Sequence, residues 1–360
     1  MNQVLTQFAA AAETTDMQPP LVTVVIVNYN YAQFLKACIA RIDRQDYPNL
    51  QCIVLDCASS DDSVSVIEEA IRQAKNPFFR LLRRDVNHGH LSNAVSVLDE
   101  IKGVFVTFLD ADDFLFPEFV STHVKAHLND LYSAAVSVTD MIQIDAAGQV
   151  LAGTCHWHQK WRASEPGTAW TDLTEARSWT AASPFVLQKA ELPRLSYIPA
   201  WWSSWPPDRW IWSATSGLMF RRSVVESLSP SSTSTPEDQQ NLSFDGYFAR
   251  VAHSVGGTLV VDSAHGAYRR HGRNVWSGNP VLGGQTTNGV RDELARFRGI
   301  QKVARQVVVA KYRELMQMLG GPLYYSIAWQ LMSNQDFLEF ARGHEEDRAT
   351  WEKTVKIANG

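Results

Sequence analysis

The stretch Val104–Pro117, VFVTFLDADDFLFP, constrains this chain more than any other. Val104 to Leu109 is apolar apart from Thr107. A run this short, rich in β-branched and aromatic residues, predicts a buried strand rather than an independent helix. Asp110, Asp112 and Asp113 follow at once. A buried strand that opens onto clustered acids sets them at its C-terminal edge, where open α/β sheets bind ligands. Like charges this close repel, and burial sharpens the repulsion, so the cluster calls for a compensating cation. Hard oxygen donors with room left for phosphates suit Mg2+ or Mn2+. Alone, such a triplet is more often a solvated loop capping the next helix, so the surrounding sequence has to decide.

Strands and helices alternate around it. Leu21–Val27, LVTVVIV, is almost continuously apolar, the pattern of a central parallel strand. Asn28-Tyr29-Asn30-Tyr31 turns the chain, and Phe34, Leu35, Cys38, Ile39 and Ile42 then recur at helical spacing. Cys52–Leu55 predicts the next strand, ended by Asp56. Ser59-Ser60-Asp61-Asp62 offers N-cap chemistry to a helix with Val64, Ile67, Ala70 and Ile71 on its apolar face. Phe79–Leu82 predicts a third strand. A polar loop, Asn87–Asn93, and a helix from Ala94 lead to the acidic strand. This is the spacing of βαβ units, hence an α/β fold with a Rossmann-like, mostly parallel sheet flanked by helices. Three strand ends, Asn28-Tyr29, Asp56 and Asp110, converge on one edge of such a sheet.

Composition narrows the classes. A chain of 360 residues holds one large domain or two ordinary ones. The formal charge of −5 gives no nucleic-acid footprint, so none is expected as a partner. Cys38, Cys52, Cys57 and Cys155 lack metal-site spacing and read as buried thiols of a reducing, cytoplasmic compartment. Met1–Gln18 is Ala/Thr-rich without a basic n-region and reads as a disordered tail, 1–18, rather than a signal peptide. After Pro117 a helix runs to about Leu128. His123 and His127, one turn apart on it, read as polar residues of an exposed face ahead of a metal pair. Ala134–Thr139 predicts a further strand closed by Asp140.

Taken in order, VTVVIVNYNYAQFL, IVLDCASSDDS and NHGHLSNAVSVLDEIKGVFVTFLDADDFLFP resemble an inverting glycosyltransferase of family 2 with the GT-A fold, over roughly Leu21–Asn274. The resemblance implies a nucleotide pocket lined by Val27, Asn28, Tyr29, Asp56, Asp110 and Ala111, with Asn87, Gly89 and Asn93 on the loop before the acidic strand. It makes Asp110 and Asp112 a DxD pair, Asp112 being the direct ligand of a Mn2+ or Mg2+ ion that neutralises a departing nucleoside diphosphate. Asp113 would orient its neighbours. Two departures stand out. Cys57 occupies the place where many relatives carry a second acid that reads the base, and Ser92 holds that of a basic residue. The nucleotide therefore stays open among UDP, GDP and dTDP.

The resemblance also reaches the second half. Phe244-Asp245-Gly246 corresponds to the place of the catalytic base, the one carboxylate that an in-line displacement needs to take the acceptor's proton. Asp245 suits a helix N-cap equally well. Tyr268-Arg269-Arg270-His271-Gly272-Arg273-Asn274 is similar to the family's YRxHxxN ending. His271 would stand beside the diphosphate as a metal ligand, and Arg270 or Arg273 would neutralise phosphate. Gly217 would allow close backbone approach near the acceptor.

Nine of the 12 Trp fall between Trp157 and Trp212. Indole faces stack on sugar rings, which makes Trp201, Trp202 and Trp205 candidate acceptor contacts; a local core built of Trp is the competing reading. The expected organisation is a GT-A domain over 19–278, donor half 19–140 and acceptor half 141–278, then a linker and helical C-terminal extension over 279–360. That extension could pack back on the domain, form a homodimer or touch the inner face of a membrane. The function implied is transfer from a nucleotide-sugar donor to a hydroxyl of a glycan or lipid-linked acceptor. A sugar nucleotidyltransferase, or a non-catalytic carbohydrate-binding protein using the Trp-rich segment, are the alternatives.

Overall fold

The computed structural model describes residues 18–155, 171–172, 177–183, 186–191, 194–202, 204–205, 210–271 and 290–344. The first half forms β1 (Val22–Asn28), α1 (Ala32–Ile42), β2 (Leu50–Cys57), α2 (Ser63–Gln73), β3 (Phe79–Arg84), α3 (His90–Val95), β4 (Phe105–Asp110), β5 (Phe114–Leu115) and α4 (Phe119–His127). Then come β6 (Val136–Asp145), β7 (Val150–Ala152), β8 (Thr171–Asp172), β9 (Arg177–Ser183), β10 (Val186–Glu191), β11 (Leu195–Ile198) and β12 (Leu218–Arg221). Helices α5 (Arg222–Ser227), α6 (Pro236–Gln239) and α7 (Phe244–Gly256) precede the long β13 (Thr258–Arg270). The chain ends in α8 (Val290–Ala310), α9 (Tyr312–Leu319), α10 (Gly321–Leu331) and α11 (Asn334–Arg342).

The main sheet runs in the order β3-β2-β1-β4-β12-β6-β13-β11-β8. Its first four strands are all parallel, and β12 enters antiparallel between β4 and β6. Alternate residues of β1 supply two different cores, as a strand covered on both faces requires. Val22, Val24 and Ile26 pack with α1, α2 and α4, whereas Val25 joins α3, α7 and the C-terminal helices. The register matters most for the site. Asn28 pairs Asp56, and Val27 pairs Asp110, so the three strand ends lie side by side.

Two strands run further than their sequence pattern predicts. β6 continues through Asp140 because that carboxylate is satisfied inside the fold, Oδ1 accepting from Met141 N–H (2.8 Å) and Cys155 N–H (3.1 Å). β13 continues past Val261 to Arg270, with register shifts near Ala264 and Ala267. That extra length carries Arg269, Arg270 and His271 to the acidic edge. All four cysteines are buried and free. The C-terminal helices share a continuous core with α7: Ile300, Val303 and Val307 of α8 and Tyr324 and Tyr325 of α10 lie in one cluster with Tyr247 and Phe248. Residues 1–17, the linker 279–289 and the tail beyond 344 lie outside the described residues.

His123 and His127 are not on an exposed face. Both are buried, and Ser137 bridges them, its Oγ 2.6 Å from His123 Nδ1 and 2.9 Å from His127 Nε2. The Met219 carbonyl, 3.3 Å from His127 Nε2, accepts only, which fixes the proton on that nitrogen. His253 of α7 is likewise enclosed. Its Nε2–H donates to Trp202 O (2.8 Å) and its Nδ1 accepts from Thr258 Oγ1 (2.9 Å). Burial pushes His127 down to about 3 and His253 to about 4. Neutral in the native state, these rings take up protons only on unfolding once the pH falls below their ordinary value. The sign is therefore loss of stability as pH falls from about 6.5, at roughly 1.4 kcal/mol per pH unit for each ring. Buried carboxylates with raised pKa values pull the other way, so the test is a difference. His253→Gln is expected to shed that increment of acid slope between about pH 6.5 and pH 5, read from urea midpoints.

Candidate active site

The turn after β4 is pinned from behind. Asp113 Oδ1 accepts the Arg269 backbone N–H (2.8 Å) and its Oδ2 accepts the Ser216 hydroxyl (2.7 Å). Ser216 Oγ accepts in turn from Asp110 N–H (3.2 Å). The Arg269 side chain clamps the same turn, Nε donating to Asp112 O (2.7 Å) and Nη1 to Asp145 O (3.1 Å) and Ala146 O (3.0 Å). Asp113 is thus consumed in structure, and burial, with the charges of Asp112 and Asp110, holds its pKa well above the usual carboxylate range. Ala111 is buried, with its N–H bonded to Val27 O (3.2 Å).

Asp112 faces the site. Its Oδ2 lies 2.9 Å from His271 Nε2, and that ring is held by Tyr31 (5.4 Å) and Phe34 (5.2 Å) at the start of α1. Burial raises the Asp112 pKa, against the His271 hydrogen bond. Two borderline-hard donors at this spacing fit Mn2+ or Mg2+, since an ion can take the place of the proton between them. Among the described residues no group of three His, Cys, Asp or Glu gathers round one point, so a bound ion would draw further oxygens from its ligand. Asp110 turns the other way, its Oδ1 3.1 Å from His90 Nε2.

At the nucleotide end, Asn28 Nδ2 donates to Asp56 Oδ1 (2.8 Å) and Ser59 Oγ (3.1 Å), while Asp56 Oδ2 accepts Ser59 N–H (3.2 Å). Asp56 is buried behind this bracing, and Tyr29, 46% exposed, is the side chain presented at the edge. The loop before α3 is braced the same way. Asn87 Oδ1 accepts from Gly89 N–H (3.0 Å) and Asn93 Nδ2 (2.7 Å), and Asn93 Oδ1 accepts His88 N–H (3.1 Å). Gly89 has φ +90°, and a Cβ there would stand 2.2 Å from Gln240 O, so the loop presses on the segment leading into α7. Asn87, Gly89 and Asn93 therefore brace the loop and fix its shape.

Asp245 stands in the first turn of α7. The cap is Ser243, whose Oγ accepts Gly246 N–H (3.1 Å), so the capping role considered for Asp245 belongs to its neighbour. Asp245 Oδ1 also accepts Gly246 N–H (2.8 Å). Burial raises its pKa, and the charge of His90 opposes the rise. His90 escaped the sequence reading. Burial pulls its pKa down, but Asp110 and then Asp245 outweigh that and hold it at about 8.

Other assignments change. Trp202 and Trp205 are only 7% and 2% exposed, and Trp205 Nε1 donates to Ser254 Oγ (2.9 Å), so both are core residues with no face for an acceptor. Trp201, 70% exposed, keeps one. Gly217 is buried; a Cβ on it would meet Ser213 Oγ at 2.0 Å and Thr139 O at 3.0 Å, so its close approach is to the protein itself. Arg270 reaches Gln143 Oε1 (3.5 Å) at the end of β13, and Arg273 lies outside the described residues. Arg269, the Arg of the YRxHxxN stretch and given no role by it, is the arginine that grips the acidic turn.

Residues 23–173 match the model of Glycosyl transferase family 2. The chain is 28% identical over 138 residues to chondroitin synthase of Escherichia coli, covering 38% of this chain and 20% of that protein. It is 34% identical over 103 residues to the GalNAc(5)-diNAcBac-PP-undecaprenol beta-1,3-glucosyltransferase of Campylobacter jejuni, covering 29% and 33%. The matched part thus spans a third or less of these relatives. Among solved structures, S. aureus TarS 1-349 in complex with UDP is 13% identical, with 85% of this chain and 70% of that chain covered and a TM-score of 0.47. Mannosyltransferase PcManGT from Pyrobaculum calidifontis in complex with GDP-Man and Mn2+ is 13% identical, with 99% and 87% covered and a TM-score of 0.47.

Proposed function

We propose, from the match of residues 23–173 to the model of glycosyl transferase family 2, that this chain is a metal-dependent inverting glycosyltransferase. It moves a sugar from a nucleotide donor to a hydroxyl of a glycan or lipid-linked acceptor. The observation that carries the reading is one continuous edge. Asn28, Asp56 and Asp110 end neighbouring strands in register, and Asp112 with His271 and His90 with α7 join on to it.

Each side chain then has a task. Tyr29 borders the base and Asp56 keeps the strand ends in place. Asp112 and His271 would hold Mn2+ or Mg2+, which when bound would supply Lewis-acid neutralisation of the diphosphate leaving group. Arg269 and Asp113 fix the turn that presents Asp112. Asp245 accepts the proton of the attacking hydroxyl, and its raised pKa makes it a better acceptor than an exposed carboxylate. Trp201 offers the exposed indole face against which an acceptor sugar stacks. Among the described residues no helix is long and apolar enough to cross a membrane. Four buried free thiols suit a reducing, cytoplasmic setting, where a lipid-linked acceptor would be met at the inner membrane face.

Calorimetric titration of UDP, GDP and dTDP, each with and without Mn2+, tests the donor site. One nucleotide is expected to bind in a Mn2+-dependent way, and Asp112→Asn to weaken it by about 10- to 100-fold, the usual range for disturbing a metal site. Binding that ignores both Mn2+ and the substitution would leave the acid cluster structural and favour the glycan-binding alternative.

A further inference from the structure

His90 stands where three parts of the chain meet. It opens α3, directly after the Gly89 turn that packs on Gln240. Its Nδ1 accepts the backbone N–H of Phe244, the first residue of α7, at 3.3 Å. Its Nε2 lies 3.1 Å from Asp110 Oδ1, an ion-pair contact in which the ring N–H is not aimed along the line to that oxygen. The Leu91 N–H bond to Leu242 O (3.2 Å) and the Ser92 Oγ bond to Gln239 Oε1 (3.1 Å) seal the same seam. The Phe244 N–H needs a lone pair on Nδ1, so it selects the neutral ring with hydrogen on Nε2. The imidazolium also carries hydrogen there. Nε2 therefore carries hydrogen beside Asp110 in both protonation states, while the link to Phe244 belongs to the neutral ring.

These contacts join two groups that chain topology otherwise leaves independent. Asp110 ends β4 on the donor side. Asp245 rides on the first turn of α7, one residue beyond the amide that His90 accepts. We infer that His90 is a positioning residue for the transfer, one that ties the Asp110 carboxylate to the N-terminus of α7 and so sets the spacing between the donor site and Asp245. This rests on the reading of Asp245 as the base. His90 itself moves no proton to substrate. It fixes the turn that carries Asp245 against the strand end at Asp110, and a rigid frame of this kind acts on turnover more than on binding.

Three substitutions separate the two bonds. Gln places an amide nitrogen near Nε2 and keeps the donor toward Asp110; Asn places its amide near Nδ1 and keeps the link to Phe244; Ala removes both. With the donor identified by calorimetry, His90→Ala is expected to lower kcat by about 30-fold while the donor KM stays within about threefold. His90→Gln and His90→Asn each keep one end of the tie only, so each should recover turnover at most in part. Hydrogen–deuterium exchange supplies a readout that needs no activity: His90→Ala should speed exchange at 243–248 and at 108–112 together, with thermal midpoints recorded for all variants. Turnover unchanged in His90→Ala, or full rescue by Gln or by Asn alone, would overturn the proposal. So would exchange that is unaltered at either segment. If the coupled exchange is seen but wild-type protein transfers no sugar from any nucleotide donor, the tie stands as structure and it is the assignment of Asp245, with the positioning role built on it, that falls.

Discussion

Asp245→Asn is expected to lower sugar transfer by about 10³-fold while leaving nucleotide affinity within about threefold, the middle of the range for loss of a general base. The substitution is nearly isosteric. Asn retains an oxygen that can accept the Gly246 N–H, and Ser243 still caps α7, so the helix and the thermal midpoint should hold. What disappears is the proton acceptor. In the wild-type protein, burial raises the Asp245 carboxyl, with His90 opposing, so the acid limb of kcat/KM should lie above the ordinary carboxylate range. The sign follows from the required ionised state: activity grows as pH rises through that limb and is lost below it. In Asp245→Asn the residual rate should be flat over the same window. Transfer close to the wild-type rate would move the base to another residue. A loss matched by an equal loss of nucleotide affinity would show a folding or donor-site defect instead.

How far the site can be read from sequence depends on the range of the contacts that define it. The strands β1, β2 and β4 are legible because each is an apolar run covered on both faces, and their polar ends are legible as a consequence of parallel pairing. Asp113 is turned into structure, bonded to Arg269 and Ser216, while Asp112 meets His271. His90 is not legible, and Arg269 is legible as the Arg of the YRxHxxN stretch but not in its role. His90 gains meaning from Phe244, 154 positions away, and Arg269 from Asp112, 157 away. No local period or propensity encodes such pairings. His123 and His127 mislead for a related reason. An i, i+4 pair of polar rings reads as a solvated face, and only the fold reveals Ser137 between them. Sidedness in the Trp-rich segment is hidden too, since an irregular loop has no period from which to sort inward from outward indoles.

That sorting leads to the largest expected loss of stability. Trp212 is fully buried, edge-on to Trp210 (5.0 Å) and His253 (5.7 Å). Its Nε1–H donates to Thr258 Oγ1 (3.1 Å), whose hydroxyl donates to His253 Nδ1, whose Nε2–H donates to Trp202 O. The relay has one consistent direction, and every donor in it is used. Trp212→Ala removes a whole indole at the junction of the Trp-rich segment, α7 and β13, and is expected to cost about 3–5 kcal/mol. Trp212→Phe fills most of the space but leaves Thr258 without that donor, for a cost of roughly 1–2 kcal/mol. Urea unfolding measures both. Trp201 supplies the contrast: with its indole largely in solvent, Trp201→Ala should change stability by less than about 0.5 kcal/mol and act on acceptor KM instead. A Trp212→Ala protein as stable as wild type would mean that the segment does not carry the core built on it. If Trp201→Ala were the destabilising change, the two indoles would have to exchange roles, one as the structural anchor and the other as the surface open to a sugar.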